Sequence, residues 1–399
     1  MTIRIHRLQQ VQQDSRCDLS AEIVTNDFRE AFVFERISTV DGLSLADPRP
    51  DAFLVMLLMH AMKTRQDIWI EDPVDPKLLF HLRGNIQVIL RLCFPELGAI
   101  RIEAEARQQS QPITASSHVA TGFSGGIDSM QLIHRKECDR QLPSEYSVSM
   151  LMHHGVGSVT HEGQYQMNFQ HTQRFAEEYG LELAGARFQT NSFFEGYSFL
   201  ETHTFRTVAA TLSLAPIFKH YLFASGTDLQ VALPSLPTRT LDAANPMLLP
   251  LLATRENTFS QYGGEFTRLE KILEVLGSEA LASKINVCAR VNHDNSRVLN
   301  CGRCFKCFPV LLVAESVGRL DCLSENFDLN SFRTNKPRCY LNFFTAAFGP
   351  RKMQTNRQVA WLISNYDSER FPISIRSLMR LVPDPIAESS VEQLLSKLQ

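Results

Sequence analysis

Hydrophobic positions along the chain fall into two textures. Up to about residue 115 they come as short, separate groups. Ile3-Arg4-Ile5-His6 opens the chain with a strand-like segment, and residues 30–37 (EAFVFERI) form a second strand candidate. The dense apolar run 52–62 sits in a segment that reads as a helix over 51–63, with Asp51 as its N-cap. Residues 67–70 predict a short strand and 77–94 a mostly helical segment. Residues 107–117 (RQQSQPITASS) are polar, with a proline and several serines, and predict a linker. Together these features predict an N-terminal α+β accessory domain over residues 1–115.

From His118 onward strands and helices alternate. Strands are expected over 118–124, 146–152, 181–188 and 221–225. Helices are expected over 128–140, 162–179 and 204–218, with Gly180 as a stop after the second. Such alternation predicts an α/β fold, a doubly wound and mostly parallel sheet whose ligands sit at the carboxyl ends of the strands. The second domain is expected to span 116–330, and residues 331–399 a C-terminal helical extension.

Composition narrows the classes. With 44% hydrophobic residues the chain can build a full core without a metal or disulfide. The net charge of -3 lacks the basic surplus of a dedicated nucleic-acid binder, so no nucleic-acid partner is expected, and only a local basic groove is left open. The N-terminus is polar and has no apolar signal core. The run 52–62 is too short to span a bilayer. A cytoplasmic location and no membrane partner are therefore expected.

The central motif is Ser124-Gly125-Gly126-Ile127-Asp128-Ser129, placed where a strand gives way to a helix. Paired glycines permit a tight turn and close backbone approach to an anion. The N–H groups and dipole of the helix start favour negative charge. Ser124 and Ser129 add hydroxyl donors, and Asp128 can cap the helix or help hold Mg2+. The segment is not a Walker A loop, since no lysine follows Gly126, and it is not a G-x-G-x-x-G dinucleotide fingerprint. A plain serine- and glycine-rich turn is the bland alternative.

Nine cysteines raise the question of disulfides, but four of them cluster. Cys301, Cys304 and Cys307 are spaced as C-x2-C-x2-C, and Cys288 lies upstream with twelve residues between it and Cys301. Four thiolates at such spacing suit a closed tetrahedral zinc site. An iron–sulfur centre or uncoordinated buried cysteines are the alternatives. Gly302 suits the knuckle turn, while Arg303 and Lys306 would offset the charge of a tetrathiolate.

SGGIDS resembles the SGG-x-D-S signature of the PP-loop, or N-type ATP pyrophosphatase, superfamily, which has an adenine nucleotide alpha hydrolase-like fold. The late C…C-G-x-C-x-x-C cluster adds a resemblance to the 7-cyano-7-deazaguanine synthase branch. The match covers about residues 119–318. The gap after Cys288 is longer than in that branch, and residues 1–115 are an addition to it. The resemblance implies that Ser124, Gly125, Gly126, Asp128 and Ser129 bind the pyrophosphate part of ATP, and that Cys288, Cys301, Cys304 and Cys307 hold a structural Zn2+. It implies that a lysine near a helix start binds the phosphates, for which Lys271 is the candidate. A solvated helix face, with Glu270 and Glu274 as partners, is the alternative for that lysine. It also implies a homodimer.

The implied activity is ATP-dependent adenylation of a substrate carboxylate, with Asp128 and Lys271 as catalytic residues, then capture by ammonia or another nitrogen nucleophile. The added N-terminal region leaves the substrate open: a small molecule, or a protein terminus as in relatives from bacterial defence gene clusters. No glutaminase element is visible, so nitrogen comes as free ammonia, from an amine, or from a partner subunit. Two rivals remain, an RNA base-modifying enzyme of the thiolation type and a non-catalytic ATP-binding subunit.

Other segments have double readings. Ser225-Gly226-Thr227-Asp228 ends a strand, where Gly226 can admit a nucleotide or simply turn the chain. His153 and His154 end another strand, as hydrogen-bonded residues or as a catalytic pair. Residues 234–250, rich in proline and holding Arg239 and Asp242, read as a substrate lid or a structural crossover.

Overall fold

The computed structural model describes residues 2–337 apart from 14–15, 26–27, 44–47, 109–115, 140–141, 157–161, 189–191, 234–235, 237–238 and 289–297, together with residues 359 and 362. Most of the expected linker over 107–117 and most of the expected extension over 331–399 lie outside the described residues.

The chain opens with β1 (Thr2–Gln13), β2 (Arg16–Val24) and β3 (Arg29–Ser38). Strict alternation builds β2: Cys17, Leu19, Ala21 and Ile23 are buried, while the residues between them are partly exposed. The helix α1 (Asp51–Thr64) is buried on nearly every side, as its continuous apolar run requires. After β4 (Asp67–Ile70), the helical stretch expected over 77–94 is two helices, α2 (Pro76–Arg83) and α3 (Asn85–Cys93), broken at Gly84. Asp75 caps α2 by accepting from the N–H groups of Lys77 and Leu78 at 3.0 and 3.1 Å. The short β5 (Ile102–Glu103) follows.

Alternation then sets in: β6 (Val119–Gly122), α4 (Ile127–Cys138), β7 (Met150–Gly155), α5 (Glu162–Glu178), β8 (Glu182–Arg187), α6 (Phe199–Ser213), β9 (His220–Ala224), α7 (Leu229–Ala232), α8 (Asn245–Leu251), β10 (Thr258–Tyr262), α9 (Arg268–Gly277), α10 (Glu279–Ala282) and α11 (Cys307–Ser316). The strand expected over 146–152 begins later, because residues 144–146 form a single 3-10 turn. The helix expected over 204–218 starts at 199, where the Glu201 carboxylate accepts the Ser198 N–H at 2.6 Å. The expected loop over 234–250 contains most of α8.

All ten strands form one sheet, in the order β10-β9-β6-β7-β8-β3-β2-β1-β4-β5. It is mostly parallel. The strands β10, β9, β6, β7 and β8 run parallel, as do β4 and β5 beside β1. Antiparallel pairing is confined to β1-β2, β2-β3 and β3-β8. The boundary expected near residue 115 does not divide this sheet. Along the β3–β8 pairing Glu35 lies opposite Arg187 and Ser38 opposite Ala184, so an edge that would otherwise expose unpaired backbone groups is closed by the N-terminal strands.

Arg36 helps fix this junction from inside the protein. Only 2% exposed, it donates to the Cys17 and Ser213 carbonyls, each at 2.8 Å. Ser213 is the last residue of α6, where a cation suits the helix dipole.

The chain divides into two compact units. The first comprises residues 1–123, 141–225 and 232–262 and contains the whole sheet. Its core includes a cluster of aromatic rings, Phe32, Phe34, Phe53, Phe188 and Phe193. The second comprises residues 124–140, 226–231 and 263–399, so the chain enters it just after β6, β9 and β10. Its described helices α4, α9, α10 and α11 bury Met130, Ile133, Ile272, Leu276 and Leu311. Among the described residues no helix is long and apolar enough to cross a membrane.

Candidate functional site

The loop 124–129 is the first segment of the second unit. Gly125 has φ +73°, a left-handed conformation that favours glycine. Gly126 is extended, with φ −74° and ψ 164°, and is the N-cap of α4. No side chain caps that helix, and Asp128 is the acidic residue of its first turn. The turn is held from three sides. The Ser124 hydroxyl accepts from the Gly126 N–H at 3.3 Å, the Ser129 hydroxyl donates to the Gly126 carbonyl at 3.0 Å, and the Asn286 N–H donates to the Gly125 carbonyl at 2.7 Å. A Cβ on Gly126 would lie 3.2 Å from the Ser124 hydroxyl oxygen, which leaves little room for a side chain.

Asp128 does not cap α4. Its carboxylate instead takes two cations from α9, with Arg268 Nη1 at 2.9 Å and Lys271 Nζ at 3.5 Å. Arg268 also donates to the Gly226 carbonyl at 3.4 Å, which ties the expected nucleotide-facing glycine into the same cluster. Helix α9 starts at 268 because Thr267 and Glu270 form a capping box, with the Glu270 carboxylate accepting the Thr267 N–H at 2.7 Å. That register places Lys271 on the buried side, where it is 2% exposed. Burial lowers its pKa, and Asp128 opposes that shift.

Lys271 is therefore not a solvated helix lysine. Glu270 is occupied by the cap, and Glu274 accepts from Gln131 at 3.0 Å and pairs with Arg135. Two cations, Arg268 and Lys271, are thereby gathered at the loop residue Asp128, with Glu265 also acting on Lys271. Arg268 is not among the site residues expected from the sequence. The available signal was its place as the first helical residue after a T-x-x-E capping box.

The four clustered cysteines do converge: the Sγ atoms of Cys288, Cys301, Cys304 and Cys307 all lie within 4.8 Å of one another. A tetrahedral zinc with bonds near 2.3 Å needs sulfurs about 3.8 Å apart, so small adjustments suffice and the group can hold a metal such as zinc. Asn300, fully buried, organises the cradle. Its side-chain oxygen accepts from the N–H groups of Val287 and Cys288 at 2.8 and 3.1 Å, and its amide donates to the Ile285 and Asn326 carbonyls at 2.7 and 2.9 Å. Gly302 has φ +64°, and a Cβ there would sit 2.1 Å from the Asp328 carbonyl oxygen, so only glycine fits this turn.

The N–H groups of Cys307 and Phe308 both point at the Cys304 carbonyl, each at 3.1 Å, which starts α11. Hydrogen bonds among the thiols divide their acidity. Sharing with Cys307 draws Cys301 down to about 6, while sharing with Cys288, Cys301 and Cys304 pushes Cys307 up. Four such thiols cannot all lose their protons in one cradle without a cation to balance the charge. No disulfide joins the described cysteines.

The other sequence candidates belong to the first unit. Burial drives His153 down to about 4 and His154 to about 3, so both are neutral, bonded to Thr172 at 3.1 Å and Thr211 at 3.1 Å. They are hydrogen-bonded strand-end residues. Arg239 is held by Glu96 at 2.7 Å and Glu201 at 2.6 Å, and Asp242 lies 2.8 Å from the His203 ring. Comparison of the chain with protein-family models, with curated proteins and with solved structures finds no match in any of the three.

Proposed function

We propose that the chain is an ATP-dependent ligase or synthase of the PP-loop type. In this reading it binds ATP at residues 124–129, transfers adenylate to a substrate oxygen and releases pyrophosphate. The observation that carries the proposal is a left-handed glycine turn opening an uncapped helix, with Lys271 and Arg268 gathered beside it on Asp128. The resemblance of SGGIDS to the PP-loop signature, and of the cysteine cluster to the 7-cyano-7-deazaguanine synthase branch, supports the same reading.

A substrate carboxylate oxygen attacks the α-phosphorus in line. The bond to the bridging oxygen breaks, and pyrophosphate leaves with its electron pair. The N–H groups of the loop and the α4 dipole hold the departing charge, and Lys271 and Arg268 neutralise it. Mg2+, when bound, screens the phosphate oxygens, and Asp128 is the carboxylate of this cluster that would hold it. Before nucleotide binds, Asp128 keeps both cations in position. The adenylate is then captured by ammonia or an amine, giving an amide and AMP. No protein nucleophile is required, because positioning and electrostatics carry the reaction. The cluster cysteines are gathered as a metal cradle, which favours this reading over thiolation chemistry.

Isotope exchange between pyrophosphate and ATP, run with candidate carboxylic acids, tests the proposal. Exchange dependent on one acid is expected. Lys271→Met and Arg268→Met should each lower it by about 10²–10³-fold, the scale of removing one preorganised charge partner, with zinc content unchanged. Tight ATP binding with no exchange for any acid would sink the enzymatic reading and favour a nucleotide-binding subunit.

A further inference from the structure

The cysteine knuckle presents a surface that adenylation does not use. Within residues 301–307 the chain buries Gly302, Cys304 and Cys307 and turns Arg303, Phe305 and Lys306 outward. Phe305 is 70% exposed, a large apolar ring left in water on a chain that buries most of its phenylalanines. The backbone beneath it is firmly set. Gly302 is locked against the Asp328 carbonyl, the Cys304 carbonyl takes two N–H groups, and Asn300 ties the knuckle to the Cys288 segment of the cradle. A ring carried on so stiff a turn loses little freedom when it is covered, which favours binding.

The flanking cations have no partner among the described residues. Neither Arg303 nor Lys306 makes a side-chain hydrogen bond or ion pair among the described residues, whereas Lys336 is paired with Glu315. Asp328, whose backbone abuts the knuckle, directs its carboxylate to the Ser331 N–H at 2.8 Å. A bare ring between two unneutralised cations matches a partner that offers flat faces and negative charges at short, regular spacing. Single-stranded nucleic acid carries both in every nucleotide, whereas an acidic protein surface sets a planar side chain beside its charges only at scattered positions.

We propose that Arg303, Phe305 and Lys306 form a docking tip for single-stranded nucleic acid, with the ring stacked on a base and the two cations on phosphates. The overall charge of -3 makes this a local attachment, sensitive to salt, and not a long basic groove.

The test uses the full, metal-loaded chain and fluorescence anisotropy at low salt. Three probes are compared: a short mixed-sequence single-stranded RNA, the same sequence as DNA, and a polyglutamate peptide. Binding of either oligonucleotide is expected. Phe305→Ala should weaken it about 5- to 150-fold, the worth of one stacked base. The double variant Arg303→Gln, Lys306→Gln should reduce the slope of log affinity against log salt by about 1.4, or 0.7 for each phosphate lost. Metal content and melting temperature, measured on both variants, confirm that the knuckle is intact. Failure of the wild type to bind either oligonucleotide, equal binding by Phe305→Ala, or binding of polyglutamate as tight as that of the oligonucleotides would overturn the proposal.

Discussion

Stripping the metal from the four-cysteine cluster should unfold the part of the second unit that surrounds it. A structural zinc contributes roughly 10–16 kcal/mol of apparent binding free energy, most of which becomes folding free energy when the cradle does not exist in the unfolded chain. Here the cradle joins three stretches distant in sequence: Cys288, the knuckle 301–307, and residues 326–328 reached through Asn300. Without a cation, the four thiols must keep or share protons at close range, at the first turn of α11. Metal analysis should find one zinc per chain, and a chelator or Cys304→Ser should lower the melting temperature sharply.

Gly302→Ala is the companion experiment. It asks for a left-handed alanine and for the Asp328 carbonyl to retreat from a 2.1 Å clash, a cost of about 2–5 kcal/mol when overpacking and backbone strain are taken together. A chain that melts at the same temperature with and without chelator would remove the metal reading. Iron with visible absorbance would replace zinc by a cluster.

Arg107→Ala should be the most damaging single change in the first unit. Arg107 reaches two carboxylates that are each 2% exposed, with Nη1 at 3.1 Å from Asp51 and Nη2 at 3.7 Å from Asp75. Both acids are structural joints. Asp51 opens α1 and accepts the Asp75 N–H at 2.8 Å; Asp75 caps α2 and accepts the Arg255 N–H at 3.2 Å. Removing their shared cation leaves uncompensated buried charge, which costs about 3–5 kcal/mol.

The pH dependence gives the test its sign. Burial already raises the Asp51 pKa, and Arg107 restrains the rise. In the variant the folded-state pKa climbs further above the unfolded value near about 3.9. The folded state then binds more protons than the unfolded state, so stability falls as pH rises from about 4 through the folded pKa. Denaturant unfolding across a pH series should show a small deficit in acid and the full deficit at neutral pH. Adding Asp51→Asn should recover much of it. A deficit that does not change with pH would mean that Arg107 acts through packing of its stem and not through its charge.

The features legible in the sequence are those written in short windows. The loop 124–129 needs only a strand end, two glycines and a helix start, all within a few residues. The knuckle is nearly as local, because C-x2-C-x2-C sets three thiols on one tight turn. Its fourth sulfur, Cys288, was assigned by counting cysteines and lies where that count placed it. Strong patterns such as those of α1 and β3 also resolved to within a residue or two.

Weak patterns did not. β10 (TFSQY) buries only Phe259, and no strand was expected there. β2 hides its alternation among Asp18, Ser20 and Glu22.

By itself, then, the chain determined the glycine turn at 124–129, the cysteine knuckle and the α/β alternation, because each depends on backbone preferences and side-chain period over a few residues. Tertiary structure alone decided that residues 29–38 pair with β8, so that the N-terminal strands extend one sheet across the expected boundary. It also decided that Lys271 and Arg268 meet Asp128, 140 residues from Arg268 in the chain, and not the glutamates beside them on the helix. Pairing between distant segments follows from which edges and charges remain uncovered once the whole chain is packed, and no local period encodes that choice.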